Sequence, residues 1–311
     1  MYNLGEQFKI DYETVMPNQE AILQGQKYRF TVLSERLIRI EYRENGVFND
    51  ELTELVRNRN FPKPKFEIKE DRNYLELTTP YFKLFYAKET KINNSKNFYV
   101  QVLNTDRSWH YNHVEAKNYS APVLIEKGKI ENTKSLYSLD GFVSIDDSKG
   151  KIVTPEGIIK ENTYEGIDIY LFVYVNDFDL CLKDYFNLTG HPALIPRFAL
   201  GNWWSRNNEY DDTSLKELVD NFVHHKIPIS IVLLDKDWHI RTYKDKEHLK
   251  TGFTFNKELF KAPYEMISYL HSQGIRVGLN INPTEGFYNI DEYYEQAKKY
   301  LTPDENGVIP Y

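Results

Sequence analysis

The sequence predicts a protein of two parts, an all-β part followed by an α/β part with a parallel sheet. Three observations predict this. Up to about residue 178, short strand-like runs recur with turn residues between them. From about residue 198, apolar strands alternate with amphipathic helices, as in a wound parallel sheet or a barrel. The length of 311 residues exceeds that of a typical single domain.

The first part, residues 1–178, is predicted to be a β-sandwich. In residues 28–32, apolar side chains alternate with Arg29 and Thr31, the period-two pattern of a strand with one face in water. Residues 167–175 lack polar alternation and are predicted to be a central strand. The other predicted strands are Leu37–Tyr42, Phe66–Lys69, Tyr74–Thr78, Tyr81–Tyr86 and Phe98–Leu103.

The second part, residues 179–311, is predicted to begin with a connecting helix and to continue with βα units. Residues 179–188 have apolar residues at helical spacing and end at Thr189-Gly-His-Pro192, which is a helix stop signal. The strands are predicted at Phe198–Trp204, Ile229–Leu234 and Ile275–Pro283.

Helices are predicted between these strands. Thr213–Lys226 carries an apolar stripe, and Ser214 with Glu217 is interpreted as its capping box. The next helix starts at Pro263 and has Gly274 as its C′ residue. A further helical piece is predicted over Asp291–Leu301.

Charge and composition exclude several classes of partner. The net charge is −7, and no stretch concentrates Lys and Arg, which argues against nucleic acid or an anionic membrane as partner. No apolar run approaches the roughly 20 residues that span a bilayer. A single cysteine, Cys181, excludes an intrachain disulfide, and residues 1–7 show no secretory signal. The chain is therefore expected to be soluble and cytoplasmic.

Asp235 is the first candidate functional residue. It directly follows the apolar run Ile229–Leu234, whose lack of polar alternation predicts a strand buried on both faces. In α/β barrels the carboxyl ends of the strands carry the chemistry, so a carboxylate at this position is a site candidate. Aromatic residues make up 15% of the chain, which fits either packing in β-sheets or stacking on sugar rings.

The second part contains four motif segments in order: Asp184–Arg206, His225–Pro228, Leu234–Trp238 and Gly274–Pro283. Taken together, these segments resemble the opening of the catalytic (β/α)8 barrel of glycoside hydrolase family 31. That family includes α-glucosidases, α-xylosidases and α-transglycosylases. The β-rich first part is similar in kind to the N-terminal sandwich of the family. The resemblance implies a retaining α-glycosidase whose substrate is an α-linked oligosaccharide or glycoside.

The resemblance also implies roles for individual residues. Asp235 matches the aspartate that binds sugar hydroxyls next to the scissile bond. Further substrate-binding residues are expected at Trp203, Trp204, Arg206, Asn282 and Asp147. The residue after Arg206 is aromatic in many members, whereas this chain has Asn207. A turn before Pro283 explains Asn282 equally well, and Asp146-Asp147-Ser148 is also an ordinary turn composition.

The resemblance places the two catalytic aspartates on later strands of the barrel. Retaining glycosidases need two carboxylates about 5 Å apart. Neither of the corresponding motifs occurs in this sequence, and a whole barrel takes about 250 residues. We therefore expect the N-terminal part of a longer enzyme, without turnover on its own. We also expect that the unpaired edge, where a fourth strand would add, either favours self-association or leaves the barrel portion only partly ordered.

Two other functions are compatible with the sequence. Asp235, Asp237 and His239 alternate, so on a continuing strand they would share one face and could chelate a metal, as in a metal-dependent hydrolase. The chain could instead be a non-catalytic carbohydrate-binding or interaction module. No cofactor is implied, since the sequence contains neither a phosphate loop nor a dinucleotide fingerprint.

Overall fold

The computed structural model describes residues 9–113, 118–119, 121–124, 130–247 and 249–310. The chain divides into two compact units, Met1–Pro192 and Ala193–Tyr311. Residues 1–7, where no secretory signal was predicted, lie outside the described residues. Among the helices that the structure describes, none is long and apolar enough to cross a membrane.

Unit 1 is built from strands, with one long helix at its end. Its helices are α1 (Tyr12–Val15) and α2 (Phe178–Thr189), with a 3-10 turn at Gln19–Ala21. Its strands are β1 (Ile22–Gln24), β2 (Tyr28–Ser34), β3 (Leu37–Tyr42), β4 (Leu52–Thr53), β5 (Glu67–Glu70), β6 (Tyr74–Thr78), β7 (Phe82–Ala87), β8 (Phe98–Val102), β9 (Ser108–Trp109), β10 (Ala121–Leu124), β11 (Ile130–Thr133), β12 (Phe142–Asp146), β13 (Ile152–Val153), β14 (Ile159–Lys160) and β15 (Ile167–Val173).

Two five-stranded antiparallel sheets form most of unit 1. Their strand orders are β1-β2-β3-β15-β12 and β5-β6-β7-β8-β9. Side chains from both sheets, such as Phe30 and Ile40 from the first and Phe98 and Trp109 from the second, join one buried core. The central position predicted for residues 167–175 is confirmed, because β15 lies between β3 and β12.

The prediction that β2 has one face in water is wrong. Arg29 and Thr31 are buried, with exposed fractions of 5% and 1%. The strand register places Arg29 beside Glu41, and Glu41 beside Asp168 on β15. Arg29 donates to Glu41 and Arg39 donates to Asp168, and a buried charge is tolerated when it is paired and hydrogen-bonded. The alternation in the sequence marks a buried ionic layer rather than a solvated face.

Arg39 is the centre of this ionic layer. Its Nε and Nη2 atoms donate to the two carboxylate oxygens of Asp168 at 2.9 and 2.6 Å. Its Nη1 donates to Asp50 Oδ1 at 2.9 Å, and Arg29 donates to Glu41 Oε2 at 2.6 Å. Burial would raise the pKa of the Asp168 carboxyl, but the Arg39 charge outweighs this effect and the pKa is lowered. Asp168 is therefore held in its ionised form.

The helix α2 packs on unit 1. Asp177 caps its first turn by accepting a hydrogen bond from Leu180 N at 3.2 Å. Cys181 and Leu188 are buried in a cluster with Phe172 on the face of the first sheet that carries the ionic layer. The predicted connecting helix therefore contributes to the core of the β-rich unit, and it ends at Gly190 as expected.

Unit 2 contains a parallel sheet of three strands, in the order β16-β17-β18, among the residues that the structure describes. The predicted succession of strand, helix, strand, helix and strand is confirmed. The elements are β16 (Trp203–Ser205), α3 (Asp212–His224), β17 (Ile231–Leu234), α4 (Pro263–Ser272), β18 (Arg276–Leu279) and α5 (Tyr294–Ala297). One face of the sheet packs on α3 and α4 through a core that includes Val232, Leu215 and Met266.

The first predicted strand of unit 2 differs from the structure. Arg197–Leu200 forms a 3-10 turn, and the strand begins only at Trp203. Pro196 precedes the turn and fixes the backbone at its start, and Gly201 N donates to Phe198 O at 3.1 Å to close it. An apolar run of this length does not by itself distinguish a strand from a turn.

The predicted capping box of α3 is also wrong in its residues. Asp211 is the N-cap, and its carboxylate accepts from Ser214 N at 2.7 Å while Ser214 Oγ accepts from Asp211 N at 2.9 Å. The pair therefore lies three residues earlier than Ser214 and Glu217. The boundaries of α4 are confirmed, with Pro263 at its start and Gly274 in the left-handed region at φ 77°.

The helix predicted over Asp291–Leu301 is reduced to α5, Tyr294–Ala297. Tyr300 and Leu301 are exposed, so the apolar residues that suggested a longer helix have no core to pack on. A short helix gains most of its stability from such packing. Asp291 is buried and accepts from Thr254 Oγ1 at 2.9 Å and Tyr288 N at 3.0 Å, which fixes the loop before α5.

Candidate functional site

The carboxyl ends of β17 and β18 bring a carboxylate and an amide together. Asp235 directly follows β17 and Asn280 directly follows β18. The parallel pairing continues for one more residue, because Asn280 N donates to Leu234 O at 2.8 Å. Asn280 Nδ2 then donates to Asp235 Oδ1. The Asp235 carboxylate is thus oriented by its neighbour and only partly buried at the sheet edge.

The side chain of Trp238 supports the pair of Asp235 and Asn280. Its side chain is 2% exposed and packs against the Phe255 ring, with 5.2 Å between the ring centroids. Its Nε1 atom donates to the backbone oxygen of Asn280 at 2.9 Å. The loop after β17 and the loop after β18 are therefore tied together by a side chain that belongs to the core. Support of this kind keeps a binding group in a fixed position.

Asp237 has a different environment from Asp235. Its backbone lies in the left-handed region at φ 57°, and its Oδ1 atom accepts from Arg241 Nη1. The pair borders a cavity of 810 Å³ formed mainly by the loop between β17 and α4. The other charged residues that line this cavity are Glu209, Glu247, Lys257, Glu258 and Glu292.

The metal alternative depends on a strand that continues through residue 239. The strand ends at Leu234, so Asp235, Asp237 and His239 do not follow strand alternation. Their side chains also have separate partners: Asn280 for Asp235, Arg241 for Asp237, and the Ile240 carbonyl 2.9 Å from His239 Nδ1. Within the described residues, no group of three or more His, Cys, Asp and Glu side chains could hold a metal ion.

The two predicted tryptophans lie away from Asp235. Trp203 pairs with Ile231 at the start of the strands, and four residues along a strand correspond to about 13 Å. Its indole is 49% exposed and donates to Ala199 O at 3.0 Å. Trp204 points to the opposite face, where its ring packs on Phe222 of α3.

Arg206 and Asn282 lie closer to the strand ends. Arg206 follows Ser205, which pairs with Leu233, so it emerges at the same edge of the sheet as Asp235. Its side chain is exposed, as is that of Asn207. Asn282 is exposed in the loop after β18. The structure thus brings Asp235 and Arg206 to one edge and adds Asn280, which sequence reasoning missed.

Asn280 could have been found by a simple comparison. It occupies the position after β18 that Asp235 occupies after β17. The sequence analysis extended the third strand to Pro283, four residues beyond its observed end at Leu279, and so passed over this position. Trp238 was matched to a motif, but its contact with a residue 42 positions away is a property of the fold.

Asp147 lies in unit 1 and is buried, with 3% of its surface exposed. Thr53 Oγ1 donates to its Oδ2 atom at 2.6 Å, and its backbone N donates to Asp168 O at 2.9 Å. Burial raises the pKa of this carboxyl to about 6, because the charged form loses its hydration. These contacts give Asp147 a structural role beside the ionic layer.

The raised pKa of Asp147 predicts a pH dependence of stability. Between pH 3.8 and about 6 the folded chain keeps this proton while the unfolded chain releases it, so stability falls as the pH rises through this window. The free energy of unfolding of the wild type should fall by about 2–3 kcal/mol across this window, and that of the Asp147→Asn variant should not. Urea unfolding of both proteins at several pH values between 4 and 7.5 measures it. The control variant Asp146→Asn changes the exposed neighbouring carboxylate and should show the same fall in stability as the wild type. The same pH dependence of stability in the wild type and in Asp147→Asn would contradict the prediction.

Comparison with known proteins identifies the parallel sheet of unit 2. Residues 192–310 match the sequence profile of the TIM-barrel domain of glycosyl hydrolase family 31. Residues 192–310 are therefore a segment of the TIM-barrel domain of glycoside hydrolase family 31. The α-xylosidase of Saccharolobus solfataricus is 30% identical over 150 residues, which are 48% of this chain and 18% of that protein. The isomaltosyltransferase of Sporosarcina globispora is 27% identical over 159 residues, 44% of this chain and 14% of that protein.

Solved structures of family 31 have the same fold. An α-xylosidase from a soil metagenome, solved with xylose, matches with a TM-score of 0.57 and 14% identity over 93% of this chain. A Flavobacterium johnsoniae dextranase, solved with glucose, matches with a TM-score of 0.55 and 16% identity over 91% of this chain. The chain spans 50% and 40% of the lengths of these two proteins.

Proposed function

We propose that this chain forms part of a retaining α-glycosidase and that Asp235 binds hydroxyl groups of a terminal α-linked sugar. The observation that carries the proposal is the pair of Asp235 and Asn280 at the carboxyl edge of a parallel sheet in a family 31 barrel segment. The α-xylosidase with xylose and the dextranase with glucose support a sugar as the ligand. Glucose or a related sugar, such as xylose, is the proposed substrate unit.

The geometry of the pair suits the recognition of hydroxyl groups. Asn280 Nδ2 donates a hydrogen bond to Oδ1 of the Asp235 carboxylate. The other oxygen, Oδ2, accepts no hydrogen bond within the described residues. An ionised carboxylate oxygen forms charge-assisted bonds with hydroxyl donors, which are roughly twice as strong as neutral ones. The same Asn280 contact fixes the direction in which Oδ2 points. Asp235 therefore acts in the proposal as a binding residue.

We propose that the isolated chain binds sugars without turning them over. The double displacement of a retaining glycosidase requires a nucleophile and an acid/base about 5 Å apart. The resemblance assigns the nucleophile to the end of a fourth barrel strand, and the parallel sheet has three strands in the described part of unit 2. A carbohydrate-binding module without activity would also bind sugars in this way, so turnover, rather than binding, is the measurement that separates an α-glycosidase from such a module.

Calorimetric titration with methyl α-D-xyloside and methyl α-D-glucoside tests the binding role of Asp235. The Asp235→Ala variant should bind at least about tenfold more weakly, since it loses a charge-assisted acceptor worth about 1.5–3 kcal/mol. Asp235→Asn, which can still accept from Asn280, should retain part of the affinity. The control Glu217→Gln removes an exposed carboxylate on α3 and should bind like the wild type.

A turnover assay with 4-nitrophenyl α-glycosides completes this experiment. The isolated chain is expected to release no 4-nitrophenol above background. Turnover that disappears in Asp235→Ala would contradict the proposal that the chain lacks the catalytic pair. Equal affinities of the wild type and Asp235→Ala would contradict the binding role.

We also propose that the chain self-associates through the edges of the unit 2 sheet. In the described residues, β16 and β18 each pair with β17 alone, so each presents an unpaired edge. Leu194 and Leu200 are 97% and 73% exposed nearby in sequence. Sedimentation velocity should show association that rises with concentration and weakens in a Leu194→Ser, Leu200→Ser variant. Tyr264→Ser on α4 serves as the control, and a monomer at every concentration would refute the proposal.

A further inference from the structure

A cavity in unit 1 has the chemistry of a second ligand site. Its volume is 660 Å³, within the range of about 300–1,000 Å³ that small-molecule sites have. Four segments form its walls: the turns between β2 and β3, between β6 and β7 and between β8 and β9, and the chain that leads from β15 into the first turn of α2. Its residues are distinct from the Asp235 site, which belongs to unit 2.

The floor of the cavity is a stacked pair of planar side chains. The Cζ atom of Arg36 lies 3.6 Å from the centroid of the Tyr81 ring, and Arg36 Nη1 donates to Tyr174 O at 2.7 Å. These contacts fix the guanidinium, whose side chain is 13% exposed. Its Nε atom is buried without a hydrogen-bond partner among the described residues.

The rim of the cavity offers further polar groups. The side chains of Asn104, Asn176 and Asp179 line it, and they make no hydrogen bond within the described part of the chain. The amides can both donate and accept, and the carboxylate can accept from hydroxyl groups. A rigid aromatic floor with a few convergent polar groups is the composition that small-molecule sites share.

The backbone of the cavity wall is strained at Val175. Asn104 and Val175 lie in the left-handed region at φ 61° and 57°. For a β-branched residue this conformation is an outlier that costs about 1–2 kcal/mol. Gly141 O holds Val175 in place by accepting from Tyr174 N at 3.0 Å and from Val175 N at 2.8 Å. Strain that the surrounding structure maintains is concentrated at functional sites.

The charges around the cavity select the class of ligand. Asp177 Oδ2 lies 3.6 Å from Arg36 Nη2 and balances its charge, and Asp179 adds a negative charge at the rim. With the charges of Arg36 and Asp177 paired, the Asp179 carboxylate leaves the cavity with a net negative charge that disfavours anionic ligands. A neutral molecule with several hydroxyl groups and an apolar face fits both the polar rim and the rings of Tyr81 and Phe178.

We propose that this cavity binds a neutral sugar unit at a non-catalytic site of unit 1. The choice of a sugar over another polyol rests on the proposed function, whereas the presence of a site rests on the cavity alone. Such a site would hold an oligosaccharide independently of Asp235. Binding through two sites on one chain raises the overall avidity for a ligand that reaches both.

NMR titration with maltose in an Asp235→Ala background tests the proposal. Maltose should still bind this variant. The further changes Asn176→Ala and Asp179→Asn remove an amide and a negative charge that make no internal hydrogen bond, so the fold should persist and the affinity should fall at least about tenfold. Tyr81→Leu, which removes the stacking surface, should have a similar effect. Tyr74→Leu removes an exposed ring outside the cavity and should leave the affinity unchanged.

The outcomes separate this site from the proposed function. Loss of all maltose binding in Asp235→Ala would overturn the second site. Equal affinities with and without the Asn176 and Asp179 changes, in proteins with the same melting temperature, would also overturn it. If the wild type and Asp235→Ala bind equally and the cavity variants bind weakly, the Asp235 role fails while the second site stands.

Discussion

Replacing Arg39 with Met is expected to lower the free energy of unfolding by about 3–5 kcal/mol. The guanidinium of Arg39 donates to Asp168 and Asp50 inside the first sheet of unit 1. Without it, the Asp168 carboxylate stays buried and loses the charge that keeps its pKa low. The cost arises from this uncompensated charge rather than from the lost volume, since Met fills much of the same space. Urea unfolding monitored by circular dichroism measures the loss.

Two further variants distinguish this explanation from a loss of packing. Arg39→Met combined with Asp168→Leu removes both charges and should recover a large part of the stability, because an apolar pair of similar volume often replaces a buried ion pair at little cost. Lys83→Ala breaks an exposed ion pair with Glu76 and should cost about 1 kcal/mol or less. A double variant less stable than Arg39→Met would show that the ionic layer stabilises the sheet by packing alone.

The same ionic layer shows where prediction from the sequence reached its limit. The period-two pattern of residues 28–32 predicted the strand correctly and separated its apolar face from its polar face. It could not reveal what covers the second face, because Asn49 and Asp50 reach Arg29 and Arg39 from a loop elsewhere in the chain. An alternation of apolar and polar residues indicates that the two faces of a strand differ in polarity. Whether the polar face is buried depends on contacts with residues distant in the sequence.

In unit 2 the order of the elements was predictable because each has a local signal. Pro263 and Gly274 mark the ends of α4, and the apolar run before Asp235 marks β17. The end of β18 has no such signal, since the apolar alternation continues towards Ile281. Asn280 was missed for this reason, and only the parallel pairing with β17 shows that it reaches Asp235.

Replacing Trp238 with Ala is expected to cost about 3–5 kcal/mol of stability and to abolish measurable sugar binding at Asp235. The indole fills the core beside Phe255, so its removal leaves a cavity. It also removes the hydrogen bond to Asn280 O, which ties the loop after β18 to the loop after β17. Thermal unfolding and calorimetric titration with methyl α-D-xyloside measure the two effects.

The Trp238→Phe variant separates stability from the ordering of the site. Phe keeps most of the apolar volume but lacks the donor, so the stability loss should be about 1–2 kcal/mol. Sugar affinity should still fall several-fold, because Asn280 loses the contact that positions its amide against Asp235. The matched control is Trp204→Phe, which removes the indole donor to Tyr210 Oη at 3.1 Å and leaves Asn280 untouched. If both Phe variants bind sugar equally well, Trp238 supports the fold and has no part in positioning Asp235.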